Sequence, residues 1–147
     1  MITFYKKSDP YWQFGNMAAA PFRDTTTGKE WRTSEHYFQA QKFPTDPEYQ
    51  ERIRLTASPM IAKRLGSSRK HPLREDWNTY RLHAMKEALR YKFSQNEAFK
   101  ALLLGTADSL LVEGSPRDSF WGCGPKKDGQ NWLGKLLMEI RDEFRSS

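Results

Sequence analysis

The chain has 147 residues, enough for one domain, and its 24 Lys and Arg outnumber 18 Asp and Glu to leave a net charge of +6. Apolar residues make up only 37% but aromatic residues reach 14%, and large rings bury enough area each for a core. The basic excess favours anionic partners without fixing which, while no apolar run approaches membrane-spanning length.

Ile2 to Tyr5 reads as a short strand. The first residues lack the basic-then-apolar layout of a signal peptide, so a soluble, cytoplasmic protein is expected. Gly15 and Asn16, in Phe14-Gly15-Asn16-Met17, suit a turn. Phe22 to Trp31 reads as a hairpin around Thr27-Gly28-Lys29. Thr33 or Ser34 caps a helix running towards Phe43. Asp46-Pro47 and Ser58-Pro59 each open a further helix, the second ending near Gly66. A basic loop follows, with Arg69, Lys70 and His71. Asp76 is expected to cap the longest helix, to about Phe93, whose stripe of Trp77, Tyr80, Ala84, Met85, Ala88 and Tyr91 keeps close to a 3.6-residue period. Asn96 caps another helix, closed by Gly105. Leu110 to Glu113 is a short strand, Gly114 to Gln130 a glycine-rich loop, and Asn131 the expected cap of the last helix. Leu133, Leu136, Leu137, Ile140 and Phe144 there are core packing. The pattern is one α+β domain over residues 1–147, mostly helical with a small β-sheet.

Two segments carry chemistry. In Thr33-Ser34-Glu35-His36-Tyr37-Phe38-Gln39-Ala40-Gln41-Lys42-Phe43, a helix puts Glu35, Gln39 and Lys42 on one face, with Glu35 in the first turn, where the helix dipole favours a carboxylate. That face is either a solvated surface or a buried active-site wall; Trp31, Tyr37, Phe38 and Phe43 around it argue for burial. In Arg117-Asp118-Ser119-Phe120-Trp121-Gly122-Cys123-Gly124, an acid and a large ring sit among glycines ahead of a helix N-terminus. The glycines either cradle a phosphate or serve the loop's own turns. Cys123 reads as a plain loop thiol that excludes an intrachain disulfide and fits a reducing compartment. The histidines, His36, His71 and His83, are too widely spaced for a zinc site. If Glu35 and Asp118 line one cleft, two carboxylates about a ribose C1′ point to cleavage of an N-glycosidic bond.

Nearly the whole chain resembles the NADAR (YbiA-like) N-glycosidase family. The resemblance rests on Trp31-x-x-Ser34-Glu35-His36-Tyr37-Phe38-Gln39-Ala40-Gln41-Lys42-Phe43 and continues through Ser58-Pro59-Met60 to Gly66 and Pro72-Leu73-Arg74 with Asp76-Trp77. Further on it takes in Lys92-Phe93, Leu111-Val112-Glu113, Asp118 with Phe120-Trp121-Gly122, and Asn131 with Leu133-Gly134. It departs from the family at Gly15, Met17 and Ser67, where a serine, an aromatic and a basic residue are common. The resemblance implies a small α+β domain that hydrolyses the N-glycosidic bond of a ribose 5-phosphate derivative, such as the ribosylamino-pyrimidine phosphates of riboflavin synthesis. A second activity it implies is removal of ADP-ribose from guanine bases in nucleic acid; a non-catalytic module binding ADP-ribose or nucleotide is the third reading.

On this reading Glu35 is the catalytic carboxylate and Asp118 the second acid. Lys42 either neutralises phosphate or traps the opened sugar as a Schiff base. Phe14, Trp31 and Trp121 are expected to flank base or sugar; Asn16, Gln39 and Asn131 to supply hydrogen bonds; and backbone groups around Gly122, with Arg69 or Arg74, to hold phosphate. Trp77 is as well explained by the core. Neither cofactor nor metal is called for. The expected partner is a small ribosyl phosphate or ADP-ribose, or ADP-ribosylated nucleic acid, and no membrane.

Overall fold

A computed structural model describes residues 1–147. Its elements run β1 (Ile2–Phe4), β2 (Phe22–Arg23), β3 (Glu30–Trp31), α1 (Ser34–Ala40), α2 (Pro47–Leu55), α3 (Pro59–Gly66), α4 (Trp77–Ser94), α5 (Glu97–Gly105), β4 (Leu111–Glu113) and α6 (Trp132–Ser146), with a 3-10 turn at Trp12–Phe14. The fold is α+β, as expected. The strands form two separate two-stranded pairs where one small sheet was expected. By its contacts the chain divides into two compact units: Met1–Ala18 with Asn96–Ser147, and Ala19–Gln95.

In the first unit, β1 and β4 pair in parallel, with Ile2 opposite Leu111 and Phe4 opposite Glu113. Parallel strands need a long connection, and this one carries the whole 19–95 segment. The stripe of α6 that the sequence marks as apolar is buried at Leu133, Leu136, Leu137 and Ile140, along with Phe4, Leu103 and Leu111. Arg141 on the same helix is buried too. Its guanidinium donates to Thr106 Oγ1 at 2.9 Å and the Ser109 carbonyl at 2.8 Å, tying α6 to the end of α5.

In the second unit, β2 and β3 form the expected hairpin, Phe22 opposite Trp31, and Gly28 supplies the positive φ of 74° that its turn demands. Buried Asp24 holds the turn closed by accepting from the Thr27 backbone and hydroxyl, each at 2.6 Å, and from the Trp31 indole at 2.8 Å. Burial opposes its ionisation, yet these bonds together hold its pKa below the usual carboxylate value. Thr33, Asp46 and Ser58 cap α1, α2 and α3 by accepting backbone N–H bonds, as their positions in the sequence predict. Asp76 does not cap α4 with its side chain: Arg74 Nε takes the carboxylate at 2.6 Å. Phe22, Trp31, Ala40, Phe43, Tyr49, Ile53 and Ala62 make one core.

Candidate active site

Helix α1 is short, and its seven residues project in different directions. Buried His36 accepts at Nδ1 from the Thr33 hydroxyl, 2.7 Å away, and donates from Nε2 to the Thr56 carbonyl at 2.9 Å. That pattern fixes the neutral Nε2–H tautomer, and burial first, with Arg32 also contributing, holds its pKa below the ordinary histidine value. His36 is a tie between α1 and the end of α2. Roughly 100° round the helix from it lies Glu35, only 7% exposed and in the first turn. One turn on, Gln39 donates from Nε2 to Glu35 Oε2 at 3.3 Å.

The helix ends at Ala40, short of the expected stretch, so Lys42 sits in the following turn. Its ammonium nevertheless stays with this group. Nζ donates to the Gly66 carbonyl at 3.2 Å and lies 6.0 Å from the Phe38 ring centre and 5.8 Å from that of Trp77. Burial lowers its pKa, and the Glu35 carboxylate pushes it back up. Glu35, Gln39 and Lys42 are thus brought together as the sequence spacing predicts. Gly66 and Trp77 join them. Trp77 is core, packed on Phe38 with ring centres 5.1 Å apart, and also a wall beside Lys42. Helical periodicity reveals only the first of those roles.

Other expected ligand-binding residues have different work. Trp31 is 4% exposed, belongs to the core and gives its indole N–H to Asp24. It borders a cavity of about 280 Å3 with Asp24, Tyr37, Gln41, Glu51 and Glu87, which Glu35 does not line. Phe14 is fully buried, edge-on to Phe4 with ring centres 5.7 Å apart, so it presents no open face for stacking. Arg74 lies near Lys42: its backbone N–H donates to the Lys42 carbonyl at 2.8 Å, while its guanidinium stacks 3.6 Å from the Tyr80 ring centre and pairs with Asp76. Arg69 is exposed and Asn16 half-buried. Lys92, named in the sequence only within the family pattern, is fully buried, and burial pushes its pKa down to about 7.

In the first unit the glycine-rich loop differs most from expectation. Asp118 Oδ1 accepts from the backbone N–H groups of Phe120 and Trp121, at 3.0 and 2.8 Å, and so shapes the loop. The amides of Cys123, Gly124, Gly129, Gln130, Asn131, Trp132 and Leu133 all donate to carbonyls of the loop or of Glu113. An anion cradle needs such amides turned outward; here they close the loop on itself. Gly122 is required by close approach, since a Cβ there would lie 2.8 Å from the Glu113 carbonyl oxygen. Trp121 is half-buried, edge-on to Phe120.

Asn131 stands at the N-cap position of α6, but its side chain makes no capping bond to the helix. It holds the left-handed conformation at φ 53° and ψ 43°, and its side chain spans to β4, accepting from Glu113 N and donating to the Leu111 carbonyl, both at 2.9 Å. The expected hydrogen bond to substrate gives way to a clamp on the strand. The signal was in the sequence: Asn tolerates left-handed backbone where most residues do not.

Comparison with known proteins agrees with this architecture. The model of the NADAR domain matches residues 3–145. N-glycosidase YbiA of Escherichia coli (strain K12) is 49% identical over 98% of this chain and 88% of its own. The NMR structure of E. coli YbiA superposes with a TM-score of 0.89 at 48% identity, covering 99% of this chain and 84% of that one. N-glycosidase Npun_R5314 of Nostoc punctiforme is 43% identical over 99% of this chain and 93% of its own. The chloroplastic riboflavin biosynthesis protein PYRR of Zea mays is 37% identical over 98% of this chain, which spans 25% of that protein. With a family model matching almost from end to end and relatives of this similarity, the chain belongs to the NADAR family.

Proposed function

We propose that this protein is an N-glycosidase that hydrolyses the C1′–N bond of a ribosylamino-pyrimidine 5′-phosphate, with Glu35 as the acting carboxylate. The observation that carries this reading is a carboxylate only 7% exposed, at a helix N-terminus, held by Gln39 and in the field of Lys42. A buried acid with such partners is what a reaction through positive charge at an anomeric carbon requires. The relatives named N-glycosidase supply the bond type, and the riboflavin biosynthesis protein of Zea mays supports the substrate class.

In the hydrolysis, the C1′–N bond breaks as a water oxygen bonds to C1′. Glu35 stabilises the oxocarbenium-like charge, takes the water proton and passes it to the leaving nitrogen. Arg74, anchored beside Lys42, is assigned the phosphate. A covalent role for Lys42 has a separate signature: borohydride would trap its Nζ on the sugar carbon as a stable adduct seen by mass spectrometry.

The test measures base release by wild type and Glu35→Gln, with folding checked by circular dichroism. Loss of a key electrostatic group costs about 3–4 kcal/mol, on the order of several hundredfold in kcat. Near-native turnover by Glu35→Gln would remove Glu35 from the reaction. Guanine carrying ADP-ribose in DNA serves as the competing substrate: preference for it would replace the pyrimidine assignment, and binding of ADP-ribose without release of any base would replace the enzyme by a binding module.

A further inference from the structure

Gly66 ends α3 in ordinary right-handed backbone, so nothing in its φ calls for glycine. Space does. A Cβ built there would lie 1.8 Å from Gln39 Oε1, 2.6 Å from its Cδ and 3.0 Å from its Cβ. The carboxamide of Gln39 is therefore seated against bare backbone, in a place any other residue would fill. Gln39 is 4% exposed; its Nε2 reaches Glu35, and its buried Oε1 has no hydrogen-bond partner. Only the Glu35 bond selects which way the amide faces, because the flipped amide would set oxygen against carboxylate. The carbonyl of the same Gly66 receives the Lys42 ammonium.

We infer that Gln39 and Gly66 are a positioning pair for the site: Gln39 fixes the rotation of the Glu35 carboxylate, and Gly66 supplies both the seat for that amide and the acceptor that aims Lys42. The inference rests on the reading that Glu35 acts at the anomeric carbon. It replaces the sequence expectation that Gln39 contacts substrate. The donor atom of its amide is spent on Glu35, and its oxygen faces the Gly66 backbone. A donated hydrogen bond favours the charged form of a carboxylate, and removing the donor disfavours it.

The experiment uses the full chain and a ribosylamino-pyrimidine 5′-phosphate, with kcat and KM measured across pH and thermal melts recorded alongside. Gln39→Met keeps the length and bulk of the side chain and removes the donor. Its kcat is expected to fall about a hundredfold, as for an acting group displaced by about 1 Å, with KM nearly unchanged. The acid limb of its kcat profile moves to higher pH, a shift that loss of packing alone would not cause. Gly66→Ala is expected to lower kcat likewise and to melt earlier, and adding Gln39→Ala to it restores part of the melting temperature because the obstructing amide is gone. A raised KM with an unmoved acid limb in Gln39→Met would return Gln39 to substrate contact and overturn the inference; so would an unchanged kcat. If Gly66→Ala fails to fold, Gln39→Met still decides. An inactive Glu35→Gln beside an unaltered Gln39→Met defeats the positioning pair alone, whereas an active Glu35→Gln defeats the underlying reading and the pair with it.

Discussion

Replacing Asn131 by Ala tests whether this residue is a structural clamp. Two bonds are lost, leaving Glu113 N–H and the Leu111 carbonyl without the amide that served them. Glu113 is half-buried, so water partly compensates and its orphaned N–H costs about 1 kcal/mol, the low end of the desolvation range, while the carbonyl of fully buried Leu111 costs at least about 1 kcal/mol. Alanine at φ 53° adds about 1 kcal/mol of left-handed strain that Asn relieves. The sum is about 3 kcal/mol. For a chain of this length that shifts the melting midpoint by about 10 °C. Asn131→Gly loses the same bonds without the strain, so it should retain about 1 kcal/mol more than the alanine variant. Urea denaturation at fixed pH, followed by far-UV circular dichroism, measures both. An alanine variant within about 0.5 kcal/mol of wild type would refute the clamp, and glycine no better than alanine would refute the strain component.

Three other outcomes follow from the geometry. His36 is held neutral with a pKa below 6.5, so the unfolded chain binds the proton first as pH falls; stability from this group is complete above about pH 6.5 and declines below it, by up to about 1.4 kcal/mol per pH unit. Denaturation of His36→Gln across that window should show a flatter profile, and an equally steep one would contradict the assignment. Glu51 has its pKa lowered to about 2, first by its bond from Arg54 and also by Lys29; its contribution is present above about pH 4.5 and lost as pH falls towards about 2, and solvent screening limits it to about 1 kcal/mol. Glu51→Gln should be destabilised by that amount at pH 7 and indistinguishable from wild type near pH 2. Trp31→Phe removes one of the donors to buried Asp24 and should cost about 1–3 kcal/mol in urea denaturation; a neutral result would show that Thr27 alone satisfies the carboxylate.

Local rules made the helical skeleton legible. Caps at Thr33, Asp46 and Ser58, proline at the first turn of α2 and α3, and the apolar stripe of α6 all act within a few residues, so spacing alone declares them. The Glu35, Gln39 and Lys42 grouping was legible for the same reason, even though α1 ends before Lys42. What spacing cannot declare is which of several available partners a side chain takes. Asp76 looks like a cap until Arg74 claims its carboxylate. Trp31 looks like a stacking platform until Asp24 takes its indole N–H and the core closes round it. Glycines 122 and 129 suggest an anion loop, yet each has atoms of other residues within 2.8 Å of where a Cβ would stand. Composition registers that glycine is present, and only the fold distinguishes a need for close packing from a need for exposed amides.

The Thr33-to-Gln39 stretch shows how one short helix separates anchoring from chemistry. Successive residues turn by roughly 100°, so Glu35, His36 and Tyr37 cannot share a surface. His36 spends both ring nitrogens on Thr33 and Thr56, and Tyr37 packs at 5.3 Å against Trp31 and 5.8 Å against Phe22 between ring centres. Those two fix the roll of α1 about its axis. With the roll fixed, Glu35 and Gln39, one turn apart, are held on the remaining face, where Gly66 and Lys42 meet them. A histidine next to a candidate catalytic acid invites assignment as its proton partner. Its tautomer and both bonds instead make it the anchor that lets the acid be aimed.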